Sequence, residues 1–264
     1  MTDPDGVPAY LDRIGAAAPD PPDAAALAAL HRAHLLAIPF ENLDIHLGTP
    51  TPLDPAALLD KIVRGRRGGF CYELNGLFAR LLEALGYRVA RLAARVWTGE
   101  RYGPPFDHLA LLVTPPGGEG WLADVGFGRH SVFPLRWAAR GDQRDPAGTF
   151  RLADTPDGDV DVLRDDEPAY RLELRERALA DFGPTCWWQR TAPESSFTRR
   201  TVCSRLTPDG RVTIAGRRLI VTRGDDRAEE ELVGDAALLA AYERHCGVVI
   251  PADRWAARGP APGH

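Results

Sequence analysis

The sequence predicts an α+β fold, in which helices come first, then a run of antiparallel strands, then a small mixed tail. Three observations carry this. Apolar residues recur at helical spacing through the first third of the chain. After Gly86 the pattern changes to short strand-like runs separated by Pro- and Gly-rich loops. No strand–helix alternation follows, which argues against a βαβ architecture.

The elements follow in order. Asp23 is placed to cap a helix over 24–37, with Leu27, Leu30, His34 and Leu35 along it. Asp54-Pro55 is a cap followed by proline at the first helical position, opening a helix to about Val63. The Arg64–Gly69 stretch breaks helix. The strongest helical pattern follows, from Phe70 through Leu74, Leu77, Phe78, Leu81 and Leu82 to Leu85, with Gly86 as its stop. Strands are predicted at 88–97, 108–113 and 121–125, with shorter ones near 149–153, 159–163, 169–176 and 185–190. The runs 211–215 and 218–222 flank Gly216 like a hairpin. A last helix is predicted over 235–245, capped by Asp235 and stopped by Gly247.

Composition narrows the function. The chain has 264 residues, 44% hydrophobic and 26% charged, enough to bury a core without a disulfide framework. Its four Cys, at 71, 186, 203 and 246, form no CxxC pair, which argues against a zinc ribbon or a thioredoxin-type site. The net charge of −5 argues against a nucleic-acid partner. No apolar run approaches the ~18 residues of a membrane helix. The first 25 residues carry five Asp and no basic start, so no signal peptide is read. The expectation is a soluble cytoplasmic protein with reduced thiols and no membrane partner.

One thiol stands out. Cys71 sits one residue into the strongest helix, directly after Gly68-Gly69-Phe70, where unpaired N–H groups and the positive dipole end favour a thiolate. Arg64, Arg66 and Arg67 precede it and are expected to add positive potential. A nucleophile needs a base, and the base an orienter. His108 opens a predicted strand and Asp124 ends another, and both interrupt runs that otherwise read as buried. Taken singly, each also fits a plainer role: a packed thiol, a satisfied core histidine, a turn aspartate. His31 and His34 are spaced like a metal pair, but no third ligand is near, so no metal is expected. Cys186, Cys203 and Cys246 read as core, Trp187-Trp188 as packing, and Gly126-Phe127-Gly128 matches no phosphate loop.

These segments jointly resemble the arylamine N-acetyltransferase family. Pro39–Leu43 is similar to its N-terminal signature, and Arg67–Gly76 to its nucleophile motif. Asp107–Leu111 and Ala123–Gly128 are similar to the segments carrying its His and Asp, and Ala192–Thr198 to a later segment. Leu74 stands where many bacterial members have Gln, and Ala192 where the family has Ser. The resemblance implies three parts: a helical bundle over 1–86 carrying the nucleophile, an antiparallel β-barrel domain over 87–200 carrying His and Asp, and an α/β lid over 201–264. It implies Cys71, His108 and Asp124 as a catalytic triad. Acetyl-CoA would be the acyl donor, with no metal, and small aromatic amines, hydrazines or N-hydroxyarylamines the acceptors. Phe40, Gly126, Phe127 and Gly128 would line the acceptor pocket, and Trp97 and Thr98 would contact CoA. The kinetics would be ping-pong. Rival readings are an amide synthase that releases a polyketide chain as a macrolactam, a cysteine hydrolase and a non-catalytic binder. Oligomeric state is not legible.

Overall fold

The structure is a computed structural model that describes residues 6–258. Helices open the chain: α1 (Gly6–Ile14), α2 (Ala24–Ala37), the short α3 (Leu43–His46), α4 (Pro55–Leu59) and α5 (Cys71–Ala84). Between α2 and α3 lies a two-residue strand, β1 (Phe40–Glu41). The expected caps are present. Asp23 accepts from the Ala26 amide, and Asp54 accepts from those of Ala56 and Ala57. A wider turn over Asp60–Arg64 extends α4, and Gly86 takes the left-handed conformation (φ 95°) that ends a helix.

Eight strands then form one antiparallel sheet that curls into a nearly closed barrel. They are β2 (Arg88–Val96), β3 (His108–Thr114), β4 (Trp121–Ala123), β5 (Leu135–Arg136), β6 (Gln143–Asp145), β7 (Gly148–Asp154), β8 (Val160–Arg164) and β9 (Glu167–Glu176). The order is β5-β4-β3-β2-β9-β8-β7-β6, which leaves β5 and β6 as the two edges. One side chain spans that seam. The Arg136 amide donates to Gln143 Oε1 at 2.7 Å, and Gln143 Nε2 donates to the Arg136 carbonyl at 3.1 Å. The barrel interior is filled by Leu92, Phe150, Leu152, Val162 and Tyr170, among others. The opposite face of β2 and β3, with Val89, Ala93, Leu109 and Leu111, packs with α5 in a separate core. Burial on both faces explains why these strands read as nearly continuous apolar runs.

Two short helices, α6 (Gly183–Thr191) and α7 (Ser196–Arg199), lead into a second sheet. It contains β10 (Val202–Thr207), β11 (Gly210–Ala215), β12 (Arg218–Arg223) and β13 (Asp226–Glu231), with β1 as its first strand. Helices α8 (Gly234–Ala241) and α9 (Ala252–Ala256) complete the described residues. α8 closes a third core with Cys203, Ile214, Tyr242 and Trp255.

Two expectations change. The strand read at 185–190 is helix α6: Pro184 starts it, and Cys186 and Gln189 turn inward three residues apart while Trp187 is 66% exposed. β-Favouring Cys and Trp thus yield to helical packing. Asp235 lies inside the first turn of α8 rather than at its cap, which Val233 occupies.

A buried charge network fixes the approach to α5. Lys61, the single lysine, lies 2.7 Å from Glu73 and 2.9 Å from Asp44. Arg67 reaches Glu41 at 2.7 Å and Asp44 at 3.0 Å. Glu73 also accepts from the Phe70 amide at 3.1 Å, at the mouth of the helix. Gly68 has no room for a side chain, because a Cβ there would lie 2.0 Å from the Pro39 carbonyl oxygen. Breaking a buried ion pair by removing one partner costs about 3–5 kcal/mol. Lys61→Met strands the buried Glu73 carboxylate, Asp44 keeping Arg67, and is expected to lose about that much in urea unfolding at pH 7. A loss under about 1 kcal/mol, the range of exposed pairs, contradicts this account.

Candidate active site

The three residues singled out from the sequence come from three elements that meet at the start of α5. Cys71 is the first residue of that helix and is 4% exposed. His108 opens β3, and its Nε2 donates to Asp124 Oδ2 at 2.7 Å. That leaves His108 Nδ1 free for proton exchange. Asp124 follows the last residue of β4, with its second oxygen accepting from the Gly126 amide at 3.0 Å.

Asn75, one turn along α5 from Cys71, ties the helix to both strands. Its Nδ2 donates to the Leu109 carbonyl at 2.6 Å and to Asp124 Oδ1 at 2.9 Å, and its Oδ1 accepts from the Val125 amide at 3.0 Å. Gly126 lies against the helix end, where a Cβ would stand 2.8 Å from Cys71 Cα. Tyr72 clamps the other side of His108. Its hydroxyl donates to the Phe106 carbonyl at 2.8 Å and the Asp107 carbonyl at 3.2 Å. Phe106 is left-handed (φ 62°), a strained conformation for an aromatic residue.

Charges decide the protonation states. Burial opposes the Asp124 carboxylate, but the charge and hydrogen bond of His108, with help from Asn75, hold it well below the usual carboxylate range. Burial pushes the Cys71 thiol well up, and the carboxylates of Asp107 and Asp124 add to this against a backbone hydrogen bond from Leu109. Of the three arginines expected to help, Arg67 is engaged by Glu41 and Asp44, and Arg64 by Asp60. Loss of the thiol proton to water leaves a buried anion, which is costly. Its transfer to His108 leaves the net charge of the site unchanged.

His31, read above as half of a discarded metal pair, supports Asp124 from behind. Its Nε2 accepts from the Asp124 amide at 3.2 Å, so the proton sits on Nδ1, which donates to the Val132 carbonyl at 3.0 Å. His34 Nδ1 pairs with the Tyr10 hydroxyl at 2.6 Å. Among the described residues no group of three His, Cys, Asp or Glu side chains is arranged to hold a metal. Asn75, Tyr72 and His31 were not singled out as site residues from the sequence. The signal available was a polar side chain inside an apolar helical stripe, where burial demands a partner.

The other expected site residues divide. The Phe127 ring lies 5.1 Å from His108 and 5.2 Å from Tyr170. Phe40 faces Gly128, where a Cβ would stand 3.4 Å from its ring. Trp97 meets Tyr102 edge-on at 5.0 Å, and Thr98 bonds Arg101 within its own turn. No hydrogen bond or ring contact of either reaches Cys71, His108 or Asp124. Leu74 is fully buried, and the Ala192 carbonyl accepts from Thr198 without needing a hydroxyl of its own.

A family model described as N-acetyltransferase matches residues 23–254. The chain belongs to the arylamine N-acetyltransferase family. The enzyme of that name from Mycobacterium tuberculosis H37Rv is 38% identical over 251 residues, covering 92% of this chain and 89% of the relative. A Salmonella typhimurium relative, named arylamine N-acetyltransferase / N-hydroxyarylamine O-acetyltransferase, is 38% identical over 76% of this chain and 73% of its own length. The structure of the Mycobacterium marinum arylamine N-acetyltransferase in complex with CoA superimposes with a TM-score of 0.88, at 34% identity, covering 96% of this chain and 97% of that one. As a member of this family the chain is an acyltransferase.

Burial holds three histidines neutral. It lowers His31 and His34, and takes His130 down to about 4 despite the attraction of Asp124. In the unfolded chain these groups take protons near pH 6.5. The unfolded state therefore binds more protons below that pH, and stability present at pH 7 is lost as pH falls toward 4. Each fully titrating histidine contributes a slope of up to about 1.4 kcal/mol per pH unit. Urea unfolding between pH 7 and 5 is expected to show the decline, and His130→Phe a shallower one; parallel profiles contradict it.

Proposed function

We propose that this chain transfers an acetyl group from acetyl-CoA to an arylamine, arylhydrazine or N-hydroxyarylamine, in two steps through acetyl-Cys71. The observation that carries the reading is the 2.7 Å bond between His108 and Asp124, tied through Asn75 to the helix whose first residue is Cys71. As the thioester arrives, His108 takes the Cys71 proton and the sulfur attacks the carbonyl carbon. Asp124, ionised across the working pH range, holds the ring in one tautomer and stabilises the imidazolium. The Cys71 amide lies in the first turn of α5, where no helical carbonyl precedes it, and is placed to meet the oxyanion. The carbonyl re-forms, the C–S bond to CoA breaks, and His108 returns the proton to the departing CoA sulfur.

The acceptor enters the same site. Aromatic amines are unprotonated at neutral pH, so the nitrogen attacks acetyl-Cys71 directly. His108 takes the amine proton and passes it to the Cys71 sulfur as that bond breaks. Phe127 and Phe40 offer ring faces for a planar acceptor, and Gly126 and Gly128 keep the wall between them thin. One site serving two acyl acceptors in turn gives ping-pong kinetics.

Mass spectrometry of the protein after acetyl-CoA treatment is expected to show one added acetyl group on Cys71, and Cys71→Ala to abolish transfer. Label on Cys186, Cys203 or Cys246 instead moves the site. Release of free acetate faster than amine acetylation replaces the reading with hydrolysis. Asp124→Asn permits the wrong histidine tautomer and is expected to lower kcat by about 10³–10⁴-fold. A loss below about tenfold removes Asp124 from the mechanism.

A further inference from the structure

The second sheet carries a charge arrangement that the acyl-transfer steps leave unused. Directly paired residues of antiparallel strands share a face of the sheet. Phe40 pairs with Ser204, and Ser204 with Thr213, so all three lie on one face. Arg211, two residues before Thr213 on β11, shares it, and its guanidinium donates to Ser204 Oγ at 3.2 Å. This face meets the barrel where Phe40 contacts Gly128. Arg129 follows Gly128 and is exposed. Arg164, the last residue of β8, approaches from the barrel: its guanidinium lies 6.0 Å from the Phe150 ring, and Phe150 packs on His130 at 4.9 Å. The three guanidiniums act on one another. Burial, then the charges of Arg129 and Arg164, bring Arg211 down to about 10.

Almost no acid balances this group. Among the described residues neither Arg129 nor Arg211 has an ion pair. Arg164 has Asp165 at 3.5 Å and the field of Asp145, whose oxygens are engaged by the amides of Val132, Phe133 and Ala147. Gathered like charges repel, and an arriving oxyanion relieves the repulsion. Guanidiniums bind phosphate through paired N–H bonds, and a phosphate has enough oxygens and charge to engage more than one of them. The cluster also has a path to the nucleophile. Gly126 lies on Cys71, Phe127 on His108 and Gly128 on Phe40, and Arg129 comes next, at most about 11 Å of chain from Gly126.

The geometry points to Arg211, with Arg129 and Arg164, as a subsite for a phosphate group of the acyl donor. This rests on the acetyl-CoA reading above. A thioester whose phosphates sit at the far end of a long flexible arm is the class of substrate that spans both places.

Calorimetric titration of CoA, and separately of inorganic pyrophosphate, into the wild-type protein, Arg211→Met, Arg129→Met and Arg88→Met tests the assignment. Arg88 is exposed at the start of β2, just past the end of α5 opposite Cys71, and away from the cluster. Arg211→Met is expected to weaken CoA about tenfold and to flatten the salt dependence of binding. Arg129→Met, at an exposed position, is expected to weaken it several-fold, and Arg88→Met to leave it unchanged. In steady state, KM for acetyl-CoA should rise at least fivefold more in Arg211→Met than KM for S-acetyl-N-acetylcysteamine, which has no phosphate. Unchanged CoA affinity in both cluster variants overturns the subsite, as does an equal loss with the two donors. A rise confined to KM for aminobenzoates also overturns it, by giving the cluster to the acceptor. Cys71 acetylation in the wild-type protein is scored separately. Intact acetylation with arginine-independent CoA binding sinks the subsite alone, and arginine-dependent CoA binding without acetylation sinks the acetyl-transfer reading alone.

Discussion

A nucleophile on a helix and a base on a sheet belong to different rigid bodies, and side-chain chemistry must hold them in register. In this chain one amide does most of that. Asn75 uses both ends of its side chain, donating to Leu109 and Asp124 and accepting from Val125. The Leu109 carbonyl belongs to the residue after His108, so a slip of α5 along β3 breaks the same bonds that orient Asp124. A fully buried amide with its partners met is rigid because every alternative leaves a polar atom unsatisfied. Tyr72 and His31 extend this control to the backbone on either side, and none of the three needs to touch a substrate.

The site is buried, and this shapes its acid–base behaviour. Burial raises the thiol and lowers the histidines behind it, so free charges are scarce except where they are paired. Asp124 keeps its charge because His108, Asn75 and the Gly126 amide surround it. A proton shared between Cys71 and His108 moves without creating net charge, and that is the kind of transfer a low-dielectric pocket tolerates. The positive charge that the sequence places before Cys71 does different work: Arg67 and Lys61 neutralise Glu41, Asp44 and Glu73, and so anchor the loop instead of activating the sulfur.

Much of this was legible in the residues, and the rest was hidden for definite reasons. Helices α2, α4 and α5 announce themselves through an apolar stripe plus a cap, because local signals suffice for them. Helix α6 misleads: it is short, rich in Cys and Trp, and its helical state comes from packing Cys186 and Gln189 inward. Cys71, His108 and Asp124 stood out as candidates through polar residues breaking apolar runs and through motif order, and the fold brings their elements together. Their supporting cast did not stand out, since Asn75 and His31 look like flaws in a stripe until their partners are known. Arg129, Arg164 and Arg211 are invisible as a group, for they come from a loop and two different sheets.

The two-residue strand β1 has a consequence for the order of folding. Phe40 and Glu41 pair with Ser204 and Cys203 on β10, and Phe40 also bridges to Gly69, next to the nucleophile's helix. The first strand of the second sheet is thus made early in synthesis, and its neighbour more than half the chain later. Closing so long a loop is the slow kind of contact. During synthesis on the ribosome the edge of β1 waits unpaired until β10 has emerged, so the wall beside Cys71 is among the last parts of the molecule to set.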